Sequence, residues 1–121
     1  PPRSRTGRRS VVRANEGEPR QVGGHAASLG AADLLQRDMT PIVLEVCGTR
    51  RNGGLMRARG DAYLRVLSGA VIMHSEVYAP LALQSGDAVL FDGEMGFALT
   101  TSEGQASQVL LIHQGDRLLE A

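Results

Sequence analysis

The sequence contains no lysine and no tryptophan, one cysteine, and four aromatic residues among 121. All thirteen basic residues are arginine. With abundant Ala and Gly, that bias reads as the codon habit of a GC-rich genome rather than as a nucleic-acid code. Tyr63, Tyr78, Phe91 and Phe97 are too few to build stacking platforms for single strands or sugars. The lone Cys47 excludes an internal disulfide framework and fits a reducing, cytoplasmic setting. Its place in the run Ile42-Val43-Leu44-Glu45-Val46-Cys47 predicts a small buried hydrophobe, since no histidine lies nearby in sequence to activate the thiol. No apolar run approaches the roughly 18 residues of a membrane helix. No apolar stretch follows the polar start, as a signal peptide requires. Net charge is also missing, which removes any general attraction to nucleic acid or anionic membranes.

Charge is nevertheless uneven. Residues 1–20 hold six arginines against two glutamates, a surplus of +4, so the remainder carries −4. Residues 1–9 have no apolar anchor and read as a basic linker or tail, leaving 10–121 as one domain with a modest core. Pro1-Pro2-Arg3-Ser4 resembles the interior of a longer chain, so the expectation is a piece with a further domain upstream.

What is present is a rhythm of short apolar runs between turn signals, which predicts an all-β fold. Strands are expected at 10–14, 25–30, 41–47, 55–57, 62–67, 70–75, 77–83, 88–91, 96–101 and 105–113. Between them fall Glu16-Gly17 with Pro19, Gly23-Gly24, Asn52-Gly53-Gly54, Ser68-Gly69, Ser85-Gly86-Asp87, Asp92-Gly93 and Glu103-Gly104. Only residues 31–37 have helical character. So many short strands lose their exposed edges when closed into a double-sheet jelly roll.

The stretch from Leu55 to Thr101 resembles the two-motif core of the cupin superfamily. The first motif is written G-x5-HxH-x3,4-E-x6-G and the second G-x5-P-x-G-x2-H-x3-N. Anchored on Gly69, the first motif puts its glutamate on Ala62 and its histidines on Met56 and Ala58, or on Leu55 and Arg57 with the longer gap. Anchored on Gly86, the second puts its proline on Asp92, its histidine on Phe97 and its asparagine on Thr101. A first-row metal needs converging imidazole or carboxylate donors, and these positions supply none. The resemblance implies a cupin-type jelly-roll barrel with at most one short helix. The residues predict that it holds no metal or other cofactor.

Strand alternation sorts the side chains. Met56, Ala58, Ala62, Leu64, Val66, Met95, Phe97 and Leu99 share the inward parity, while Arg57, Arg59, Tyr63 and Arg65 point out. If a ligand enters the barrel, Met56, Ala62, Leu64, Met95, Phe97 and Leu99 are expected to line its site. Arg57 or Arg59 would then meet a carboxylate at the mouth. The four methionines, Met39, Met56, Met73 and Met95, read as core filling or as walls of an apolar cavity.

Other chemistry finds little support. His25, His74 and His113 share no short ligand spacing and read as surface or strand-end residues. The acids Glu76, Asp87, Asp92 and Glu94 sit at turns, where carboxylates cap backbone N–H groups. No phosphate loop and no nucleophile elbow is present.

Upstream of the two motifs, Val11-Val12-Arg13, Ala32-Asp33-Leu34-Leu35 and Met39-Thr40-Pro41 resemble the lead-in of the C-terminal cupin domain in helix-turn-helix regulators of the Xre family. That resemblance spans about residues 10–114. It implies a ligand-sensing or dimerising domain without catalytic residues. Its partners would be a small-molecule effector, apolar or a carboxylate, and a second copy of the chain. DNA would be reached only through an upstream domain, and no membrane is involved. A homodimer would use Val11-Val12 or Ile42-Val43-Leu44. Two alternatives stand beside it: a small cupin-type isomerase or dioxygenase with a non-standard site, and a ligand-free dimerisation scaffold.

Overall fold

The computed structural model describes residues 7–34, 36–48, 55–102, 105–115 and 119–120. Among these residues, eleven strands form two antiparallel sheets. They are β1 (Glu18–Val22), β2 (His25–Leu29), β3 (Met39–Cys47), β4 (Met56–Arg57), β5 (Asp61–Ser68), β6 (Ala70–Ser75), β7 (Leu81–Gln84), β8 (Ala88–Asp92), β9 (Phe97–Thr100), β10 (Ala106–Gln114) and β11 (Leu119–Glu120). One sheet runs β1-β2-β3-β10-β5-β8 and the other β11-β4-β9-β6-β7. The barrel core lies between them, and Leu44, Val46, Leu64, Val66, Val71, Leu99, Val109 and Leu111 fill it.

Period-2 patterning explains the layering. β10 alternates buried and outer positions from Ser107 through Val109, Leu111 and His113, and β5 does so from Ala62 through Leu64 and Val66. β10 pairs with β3 on one side and β5 on the other. β5 in turn carries β8 along its outer edge. Ser68-Gly69 turns the chain from β5 in one sheet to β6 in the other. Gly69 takes a φ of +80°, and a Cβ there would stand 2.3 Å from the Ser107 hydroxyl oxygen, so only glycine fits.

Three expectations change at the N-terminal side. Residues 10–14 form no strand, although Val11 and Val12 favour one; both are exposed. The strand is instead the polar Glu18–Val22, paired with β2 at the sheet edge, where Pro19 is tolerated because one side of the strand needs no donor. Residues 31–34 and 36–37 form turns and bends, not helix. The φ values of +58° at Ala31 and +54° at Gln36 leave the right-handed helical region, and Arg37 Nη1 satisfies the carbonyls of Ala31 and Leu34 at 3.1 and 2.6 Å. Elsewhere among the described residues the one helical turn is a 3-10 turn at Gly93–Met95. The turns expected at Asn52-Gly53-Gly54 and Glu103-Gly104, and residues 1–6 of the expected tail, lie outside the described residues.

The expected fate of several polar groups also reverses. His25 and His113 are buried, because they share parity with Ala27 and Leu29 on β2 and with Val109 and Leu111 on β10. Cys47 is exposed, because it ends β3 one step past the buried Val46. Ile42 and Leu44 are core residues of a strand flanked by β2 and β10, so β3 offers no free edge to a partner. No helix among the described residues is long and apolar enough to cross a membrane.

Candidate functional site

The positions aligned with the cupin metal ligands come together, and they are closed. Met56 stands opposite Phe97 in the β4–β9 register, and both are buried. Ala58 donates its N–H to the Gly93 carbonyl at 2.9 Å. A Cβ on Gly93 would lie 2.8 Å from the Ala58 Cβ, so the two backbones are in direct contact. Ala62 is buried on β5, opposite Phe91 on one side and His113 on the other. On another side, Gly23 in the β1–β2 turn packs against the Met56 thioether: a Cβ at position 23 would meet its sulfur at 2.6 Å. Thioether, methyl and phenyl groups do not fit a hard or borderline divalent cation. Among the described residues, no group of three His, Cys, Asp or Glu side chains could hold one.

The buried histidines do not supply a substitute. His25 has its pKa lowered mainly by desolvation, with a hydrogen bond to the Leu99 backbone working against that shift. His113 Nδ1 lies 3.1 Å from the Gln114 carbonyl oxygen. His74 Nε2 lies 2.9 Å from Thr100 Oγ1. Each ring is thus held in the sheet framework.

An open volume lies at a different corner. β7 and β8 are the last strands of their two sheets and are not paired with each other. They meet through the turn at Ser85-Gly86-Asp87, which is pinned by Asp87 N–H to Gln84 O at 2.8 Å and Gly86 N–H to Val66 O at 2.9 Å. Away from that turn the sheets splay and leave a half-open cavity of about 550 Å3. Met73, Leu81, Val89, Phe91 and Met95 form its walls, and Val77, Tyr78, Ala79 and Leu90 its rim. The volume is within the range of small-molecule sites, roughly 300–1,000 Å3. Tyr78 is 70% exposed and Leu90 67%, an unusual display of large side chains beside a hollow.

Two polar side chains also line it, Ser75 and Asp92. The Ser75 hydroxyl oxygen is committed to the rim: it accepts the Tyr78 N–H at 3.0 Å and fixes the loop that carries Val77 and Tyr78. Asp92 Oδ1 accepts the Glu94 N–H at 3.0 Å and caps the 3-10 turn. Among the described residues, no hydrogen bond reaches Asp92 Oδ2.

Of the eight residues expected at a ligand site, Met95 lines this cavity, half-buried against the core. Met56, Ala62, Leu64, Phe97 and Leu99 are packed in the core cluster. The Phe97 ring meets Phe91 edge-on, with centroids 4.8 Å apart at 73°. Arg57 grips Glu76 with two nitrogens, at 2.7 and 2.9 Å, and also donates to the Glu94 carbonyl at 3.0 Å. That contact raises the Arg57 pKa and lowers that of Glu76, the side-chain hydrogen bond being the main cause of both. Arg59 lines a separate shallow hollow with Arg37 and Gln114.

The sequence analysis missed Tyr78, Leu90, Phe91 and Asp92. The readable signal was Val77-Tyr78 in a turn segment before Pro80, and the unbroken apolar triplet Val89-Leu90-Phe91 in an edge strand. A third hollow, between residues 12–17 and the outer face of β2 and β3, is lined partly by Glu45 and Gln108, which already bond each other at 2.7 Å.

No family model and no curated protein matches the chain. Solved structures do. Apo hydroxypropylphosphonic acid epoxidase superimposes with a TM-score of 0.66 at 14% identity, over 85% of this chain and 57% of that one. A structure of DMSP lyases gives 0.69 at 17%, over 89% of this chain and 64% of that one. A cupin-2 domain protein from Shewanella frigidimarina gives 0.50 at 13%, over 64% and 71%. The fold is a cupin barrel. The chain spans about three-fifths of the length of the epoxidase and the lyase. The expectation of a chain without enzymatic activity is corrected by these neighbours: an epoxidase and lyases are enzymes on this fold, so empty ligand positions do not carry that conclusion.

Proposed function

We propose that this cupin domain binds a small, largely apolar molecule in the cavity between β7 and β8. The observation that carries the reading is the cavity itself: apolar walls, an exposed aromatic rim and the unpaired edges of β7 and β8. The barrel interior around Phe97 is filled by side chains, so a ligand has room at this corner. Among the described residues no metal donor set takes part. Apolar burial drives entry, and backbone groups on the unpaired edge of β8 orient the guest.

Within a longer chain this binding would serve effector sensing in a transcription regulator. That finer role rests on the likeness of residues 10–114 to the cupin half of Xre-type regulators. A homodimer goes with it, since such regulators read paired half-sites.

The four methionines make the test direct. In protein labelled at the methionine methyls, 3-phenylpropanol is expected to shift the signals of Met73 and Met95, which line the cavity, and to leave the exposed Met39 in place. A shift of Met56 instead would move the site into the barrel interior. Four unmoved signals at saturating probe would sink the reading.

A further inference from the structure

The charge around the cavity points to a class of ligand. We propose that the cavity selects an amphipathic amine, its ammonium on Asp92 and its apolar body along Leu81, Phe91 and Met73. This deepens the binding reading and rests on it.

Three observations carry the choice. First, among the described residues Asp92 is the only charged one in the lining, and its Oδ2 accepts nothing. Its Oδ1 is tied to the Glu94 N–H, so the carboxylate is held in place rather than free to swing away. Second, Arg57, which bonds the Glu94 carbonyl in the turn after Asp92, is already spent. Both oxygens of Glu76 and the Glu94 carbonyl occupy its guanidinium, and Arg57 does not line the cavity. A ligand carboxylate would therefore meet Asp92 without a compensating cation, which repels it. Third, two aromatic rings border the space. Tyr78 stands exposed at the rim, and Phe91 forms a wall with its orientation fixed by the edge-on contact to Phe97. An organic cation is attracted to such ring faces, whereas an anion is not. The expected preference is thus the reverse of the carboxylate that the outward arginines suggested in the sequence.

The experiment compares three probes of one shape, 3-phenylpropylamine, 3-phenylpropanol and 3-phenylpropanoate, by calorimetric titration at pH 7. The methionine methyl shifts report where each one binds. The amine is expected to bind about tenfold or more tighter than the carboxylate, a difference of about 1.4 kcal/mol. Asp92→Asn keeps an oxygen for the Glu94 cap and removes the charge. It should bring amine and carboxylate to within about threefold of each other while leaving the alcohol unchanged. Equal affinities in the unaltered protein, or an amine affinity untouched by Asp92→Asn, would overturn the inference and leave the cavity reading intact. Failure of all three probes to shift Met73 and Met95 would overturn both.

Discussion

One hydroxyl, that of Ser107, satisfies both backbone groups of Ala70. Its oxygen accepts the Ala70 N–H at 3.0 Å, and its proton goes to the Ala70 carbonyl at 2.8 Å. Ser107 belongs to β10 and Ala70 to β6, so a single side chain stitches one sheet to the other beside the Gly69 turn. Ser107→Ala leaves two backbone groups near the seam without this partner. The expected loss is about 1–3 kcal/mol, measured by urea denaturation. Gly69→Ala should cost as much or more, since it adds backbone strain to the collision with Ser107.

The edge-on pair of Phe91 and Phe97 sets a second expectation. Phe97 is fully buried and joins the core to the cavity wall. Phe97→Ala should lower stability by about 3–5 kcal/mol in the same assay. It should also weaken capture of 3-phenylpropanol, because Phe91 loses the ring that holds it. Unchanged affinity with lowered stability would confine Phe97 to the core.

His25 gives a pH signature. Burial holds its folded pKa below the usual imidazole value, so the unfolded chain takes up the proton first as pH falls. Stability is therefore full above the ordinary imidazole pKa and declines as pH drops from there towards the lower folded value. The thermal midpoint should fall between about pH 7 and pH 5. His25→Gln should flatten that part of the curve; an identical slope would assign it to other groups.

Glu76 acts lower on the scale. Its contact with Arg57 holds the carboxyl below the usual range. The contribution is present above the ordinary carboxylate pKa and lost as pH falls through the folded value. Both side chains are largely solvated, so the effect is small. Glu76→Gln should reduce the acid sensitivity of the thermal midpoint below about pH 5 and leave the neutral-pH value nearly unchanged.

Much of the barrel was legible because its strands obey strict alternation. Leu64-Arg65-Val66 assigns inside and outside, and the glycines at 69 and 86 mark real corners, whereas the unbroken apolar run Val109-Leu110-Leu111 shows its sides only in the structure. The polar β1 was not legible, because an edge strand with every residue at least partly solvated needs no apolar period. His25 and His113 were misjudged by type rather than by position: parity alone would have put them inside. The cavity was hidden for a different reason. It arises from the splay of two strands that do not pair, and sequence records pairing partners poorly. The motif register pointed into the barrel interior, whereas the space lies around its edge.

The contact between Ala58 and Gly93 bears on how little this loop can change. A Cβ at position 93 would stand 2.8 Å from the Ala58 methyl and 3.0 Å from its carbonyl oxygen, so any side chain there would have to part the two backbones and the hydrogen bonds from Ala58 to Gly93 and from Gly93 to Gly60. The 3-10 turn that Asp92 caps therefore depends on a residue with no side chain, and the carboxylate beside the cavity owes its place to that bare backbone.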